Sequence, residues 1–216
     1  MKSQTLRLLV AMLALSALVA ALVAIFVGGA AGSGDNSKIR WDISQLSGAA
    51  PSIHLLAGGK ASACGESPCS NKITLTGTGT FRLGESDAVT GGGTWATSGP
   101  DVGTQSGTYR VTRLVSFESA PGSLPSPPFI NDIPGVPTAG LAVLRIVYSD
   151  GSRGVLTVSC DLPTTPAPFP FEGITATKRF FGYWARVAPS GSAPFVLGAN
   201  ENRTQFRVLP GEDDDD

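Results

Sequence analysis

The stretch Ile73–Tyr109, ITLTGTGTFRLGESDAVTGGGTWATSGPDVGTQSGTY, decides the fold class. From Ile73 to Leu83 one face carries Ile73, Leu75, Gly77, Gly79, Phe81 and Leu83, and the other carries Thr74, Thr76, Thr78, Thr80 and Arg82. Strict period-two alternation of this kind is the mark of a half-buried strand. A second pattern lies across it. Gly79-Thr80-Phe81, Gly93-Thr94-Trp95 and Gly107-Thr108-Tyr109 repeat a Gly-Thr-aromatic unit every 14 residues. That spacing suits one strand plus one turn, so three successive antiparallel strands are expected. Each glycine shares a face with the ring two residues later, and a ring can cover the gap that a glycine leaves on the neighbouring strand.

Working outward, the third repeat continues with Tyr109, Val111, Arg113, Val115 and Phe117 on one face and Thr108, Arg110, Thr112 and Ser116 on the other. Leu141–Tyr148 is apolar on both faces except for Arg145, as a central strand requires. Ser149-Asp150-Gly151-Ser152 turns that strand back into Val155–Cys160 as a hairpin. Ile174–Thr177 and Gln205–Leu209 read as further strands. Lys178–Val187 spaces Phe180, Trp184 and Val187 as a short helix would, with Gly182 opposing it. Ile39–Ile43 alternates and begins the domain, and a loose small-residue stretch follows to about Asn71. Two proline-rich segments, 119–139 and 161–171, exclude central strands. The expected fold is all-β, an antiparallel meander of about seven to nine strands closing into a β-barrel or folding as a β-sandwich. The sequential repeats favour the barrel.

The domain organisation follows from the two ends. Lys2 and Arg7 precede an apolar run from Leu8 to Val27 broken only by Ser16, and small residues follow at 28–32. This is the order of a secretory signal, in a run long enough to span a bilayer. Residues 1–32 are therefore expected to be a signal peptide or a single-pass membrane anchor, an N-terminal hydrophobic helix with the domain outside the membrane in either case. Residues 33–38 read as a linker, 39–210 as the mostly-β domain and 211–216 as a disordered acidic tail. The expected location is secreted, or anchored on the outer face of the cell membrane.

Composition bounds the function. Charged residues make up 15% of the chain, Gly is abundant at 27 and Pro at 16, and the net charge is −1. Without a basic excess there is no footprint for a phosphate backbone, so nucleic acid is excluded as a partner. The membrane (through an uncleaved N-terminal segment) and a protein or small-molecule ligand remain. Cys64 and Cys69 enclose a four-residue turn that a local disulfide could close, leaving Cys160 as a buried thiol; pairing of Cys160 with either of them is the alternative. His54 is the only histidine, zinc spacing is absent, and no metal or other cofactor is called for.

Chemistry is thinly written. Glu85, Asp87, Glu118, Asp132, Asp161 and Glu172 lie at turns or flank strands, where two could meet as a hydrolytic carboxylate pair. Arg113, among apolar neighbours by its parity, must find a carboxylate such as Glu118 or Glu172, or a ligand. In the ligand reading, Arg113, Arg145 and Tyr109 line a sheet-enclosed cavity that recognises an anionic group. Phe129-Ile130 and Phe169-Pro170-Phe171 could offer an apolar contact surface, and Asn202-Arg203-Thr204 matches a glycosylation sequon. An exported binding or interaction module is the leading expectation; a carboxylate-using barrel enzyme and a structural envelope protein are the alternatives.

Overall fold

A computed structural model describes residues 37–168 and 170–210, and over them every regular element is a β-strand. They are β1 (Lys38–Ala49), β2 (Ser52–Ala57), β3 (Ala61–Cys64), β4 (Lys72–Leu75), β5 (Thr78–Arg82), β6 (Glu85–Val89), β7 (Gly92–Ser98) and β8 (Gln105–Ala120), followed by β9 (Phe129–Asn131), β10 (Val136–Tyr148), β11 (Arg153–Cys160), β12 (Gly173–Lys178), β13 (Phe181–Tyr183), β14 (Ala185–Arg186) and β15 (Arg203–Val208). Six of them close a barrel in the order β10, β15, β1, β5, β7, β8 and back to β10, with every neighbouring pair antiparallel. Closure removes the open edges that a flat sheet of this size would expose. Strands β11–β13 extend the sheet beyond β10, and β3, β4 and β14 extend it beyond β7. Among the described residues only β2 and β9 pair in parallel. Among the described residues no helix is long and apolar enough to cross a membrane. The expected export or anchor helix at 1–32 and the tail at 211–216 lie outside the described residues.

The glycine–aromatic repeat builds the closure. β5, β7 and β8 are neighbours in the sheet, and the register sets Trp95 opposite Gly107 and Gly93 opposite Tyr109. Trp41 of β1 stands opposite Gly79. A Cβ on Gly79 would lie 2.7 Å from the Trp41 Nε1, and one on Gly77 would lie 2.2 Å from the Tyr109 hydroxyl. The rings occupy space that only glycine leaves free. Tyr109 then donates its hydroxyl proton to the Thr76 carbonyl at 2.8 Å. Phe81, Phe117 and Phe206 fill the next layer, with Phe117 5.2 and 5.1 Å from the other two ring centres.

Four local expectations differ from what forms. The run Ile73–Leu83 is two strands, because the chain leaves the β4 alignment at Thr76-Gly77 before pairing with β1 as β5. The stretch from 44 to 71 is not loose: it holds half of β1 and all of β2 and β3, and Ala61 and Ala63 of β3 are fully buried. Small residues there let strands pack closely rather than marking a loop. Lys178–Val187 is a β-hairpin, since Lys178 pairs with Phe181 across a two-residue turn in which Arg179 takes a positive φ of 56°. The fourth concerns face. Two β-bulges in β8, at Thr112 and Val115, break its alternation against β10. The inward residues are Tyr109, Val111 and Leu114, and Arg113 and Val115 turn outward.

The glycine–ring fit gives a direct test. Gly79→Ala would place its Cβ 2.2 Å from the Thr90 carbonyl oxygen as well as against Trp41. The substitution is expected to lower stability by about 1–3 kcal/mol, measured as a fall in the urea midpoint at unchanged slope.

Candidate functional site

The residues singled out in the sequence fall in different places. Arg113 is half exposed on the outer wall; its Nη2 donates to the Ser86 hydroxyl at 3.0 Å and its Nε lies 3.6 Å from the Asp87 carboxylate. Arg145 is exposed beside Arg110 and Arg153 on a shallow outer groove of about 560 Å³. Tyr109 is buried inside the barrel. The three do not line a common enclosed cavity, because the bulges invert the parity of Arg113 and because rings fill the barrel. Cys64 and Cys69 are joined as a disulfide and Cys160 is a buried thiol. Asn202 is 2% exposed and donates its amide to the Ala188 carbonyl, so the folded domain hides this sequon nitrogen from a glycosylating enzyme. Phe129 packs on Leu46, Ile53 and Leu55, and Ile130 is exposed. The Arg186 guanidinium lies over the Phe171 ring at 5.9 Å; Phe169 lies outside the described residues. His54 holds Asp132 through Nδ1 at 2.7 Å. Among the described residues no group of three or more His, Cys, Asp or Glu could hold a metal ion.

A different site emerges on the outer face of β15. This strand reads Arg203-Thr204-Gln205-Phe206-Arg207-Val208. Period two sends Phe206 into the barrel and puts Arg203, Gln205 and Arg207 on the opposite face. That face would be solvated on an ordinary barrel. Here the two proline-rich segments fold over it and hydrogen-bond to one another, the Ser123 amide and hydroxyl meeting the Thr164 hydroxyl at 2.6 and 2.9 Å. Between the wall and this cover lies a cleft of about 460 Å³, lined by Leu46, Leu55, Leu124, Phe129, Leu162 and Pro163 as well as by the polar residues of β15. The size and the mostly apolar lining suit a small-molecule site.

The electrostatics at the floor are unusual. Arg40 and Asp42 of β1 stand opposite Arg207 and Gln205. The buried Asp42 carboxylate is taken by Arg40 through two bonds of 2.8 and 2.9 Å, a charge-assisted fork. Arg207, 0% exposed, is left with a neutral partner: its Nε and Nη2 both donate to Gln205 Oε1, at 3.1 and 2.5 Å. Its Nη1, the Gln205 Nε2 and the Arg203 Nε are buried with no hydrogen-bond partner. Burial pulls the Arg207 guanidinium down to about 10, where it remains charged at neutral pH. Three donors facing one cleft without acceptors are costly, at about 1–3 kcal/mol for each neutral group and more for a charged one.

Glu172 and Asp161 sit at the neck of the second proline-rich segment. The Glu172 carboxylate accepts from the Asp161 amide at 2.8 Å and from the Thr204 amide at 2.6 Å, fastening the ends of β11 and β12 to β15. Burial pushes the Glu172 carboxyl up to about 7, against the lowering effect of both amides and of Arg203. Burial likewise holds the Cys160 thiol well above its ordinary value, which leaves it a poor nucleophile. No signal of spacing pointed to this cleft. The alternation of Arg203, Gln205 and Arg207 was present in the sequence, but it reads as an exposed face unless the proline-rich segments are known to cover it.

Because the folded carboxyl of Glu172 titrates above its unfolded value, the folded state holds an extra proton between roughly pH 4.5 and 7. Its contribution to stability is present at low pH and is lost as pH rises through that window, at up to about 1.4 kcal/mol per pH unit. Chemical denaturation across pH 4–8 is expected to lose this component in Glu172→Gln. Compared with protein-family models, with curated proteins and with solved structures, this chain matches none.

Proposed function

We propose that this domain is a binding module that holds a small ligand in the cleft between β15 and the two proline-rich segments. The observation that carries the reading is the Arg207–Gln205 pair, fully buried at the floor with donors that no protein group accepts. Native proteins rarely leave such groups without a partner, and a ligand or an ordered molecule in the cleft is the usual resolution. The apolar lining would shelter the body of the ligand and the donors would orient it. The basic and then apolar N-terminal sequence supports a place of action outside a membrane, as a secreted or anchored protein.

An enzyme using carboxylates is the second reading. It is favoured by Glu172, whose raised carboxyl shares the cleft with Asp161, as a general acid and its partner would. Against it, both Glu172 oxygens are engaged by backbone amides, which makes this carboxyl a fastening first. A structural envelope role has no comparable observation in its favour.

The test is native mass spectrometry of the protein as an exporting host delivers it, followed by the same sample denatured. Mass retained under native conditions and released on denaturation is the expected result, with Arg207→Met losing that extra mass. Retention of the same extra mass by Arg207→Met would remove the cleft from the reading.

A further inference from the structure

Resting on the reading of the cleft as a binding site, we infer that its ligand is an amphipathic monocarboxylate: a carboxylate head taken by Arg207 and Gln205, and an apolar body lying against the proline-rich cover. The argument begins with the kind of groups left unsatisfied. At the floor, Arg207 Nη1, Gln205 Nε2 and Arg203 Nε are all donors. A site made only of donors calls for a ligand that only accepts, and a carboxylate offers two oxygens and no proton at neutral pH. A neutral hydroxyl or amide would bring donors of its own that none of these three groups accepts.

The charge arrangement points the same way. Asp42 would be the natural partner of Arg207, but Arg40 already holds it through both oxygens. The Arg207 fork turns instead to Gln205 Oε1, which fixes the amide so that its Nε2 is directed away from the guanidinium bond. The Nη1 end of the guanidinium and the amide Nε2 are thus the donors that this shared oxygen leaves unused. A carboxylate takes a charge-assisted bond from a guanidinium N–H and a further bond from an amide N–H without bringing a donor of its own. The other carboxylate closest to the chemistry, Glu172, is occupied by two backbone amides at the neck and is not aimed at this pair.

The rest of the ligand is set by the cover. Leu124 and Phe129 from the first proline-rich segment and Leu162 and Pro163 from the second face Leu46 and Leu55 across the cleft. These side chains make no hydrogen bonds and would sequester an alkyl or aryl body from water, at roughly 25 cal/mol for each Å² covered. Arg207 and Gln205 are 0% and 2% exposed, so the head reaches them only when the two segments part. The Ser123–Thr164 contact joins the segments at an exposed position and is the place where they would separate.

The experiment is calorimetric titration of the exported protein with decanoate below its micelle concentration, against decanol of the same chain length. Decanoate is expected to bind at least about tenfold more tightly, a difference of one charged hydrogen-bonded head. Gln205→Glu supplies Arg207 with an internal carboxylate. It is expected to abolish the preference for decanoate and to melt no lower than the wild type. Should that variant fail to fold, Arg207→Met removes the guanidinium donors at similar shape and is likewise expected to lose the preference for decanoate. Equal affinity for decanoate and decanol, or an undiminished preference in the variants, overturns the carboxylate head while leaving the binding cleft standing. Failure of both compounds to bind overturns the proposal; joined to a bare chain mass under native conditions, it removes the binding reading as well.

Discussion

Everything in this domain depends on β15 being paired on both sides, with β1 and with β10. Its inward face brings Phe206 between Phe81 and Phe117 and completes the ring layer of the barrel. Its outward face brings Arg203, Gln205 and Arg207 under the proline-rich cover. One six-residue strand therefore joins the hydrophobic core to the polar floor of the cleft, and neither can shift register without the other. A slip of one residue would exchange the two faces, driving two guanidinium groups into a core of phenyl rings.

The strand is held in that register by side chains that imitate backbone. Asn200 accepts from the Leu46 amide and donates to the Leu46 carbonyl, and Asn202 accepts from the Ser62 amide. Both are buried, and Asn202 adopts a positive φ of 63° that asparagine tolerates better than most residues. Glu172 adds the third fastening at the Thr204 amide. These polar groups are satisfied, in contrast to the floor of the cleft. Three of the five buried side-chain polar atoms without a partner among the described residues belong to this floor, the others being the Trp41 Nε1 and the Ser159 hydroxyl.

The β class, the ordering of β5, β7 and β8 and the glycine–ring contacts were legible because they depend on alternation and on spacing within a short stretch. Cys64 and Cys69, four residues apart by intervention, were legible for the same reason. Arg113 was not, since a bulge changes parity without leaving a mark in composition; Thr112 and Val115 look like ordinary strand residues. The strands from Ser44 to Cys64 were hidden by their small residues, which suit a loop and a tightly packed sheet equally. The cleft was least legible of all. Its floor, its cover and its neck come from β1, β15 and two proline-rich segments far apart in the chain, and nothing local announces that Pro137 will lie beside Arg207.

The antiparallel pairing of Trp41 with Phe206 sets the first described strand against the last. A growing chain has no partner to place in that gap until β15 is made, so the β1 edge waits unpaired while the strands from β2 to β14 emerge. Such long-range closure is slow, and an open edge invites pairing with a neighbour. Loss of β15 alone would thus do more than remove one strand: it would leave a trough that is open between β1 and β10 and prone to self-association.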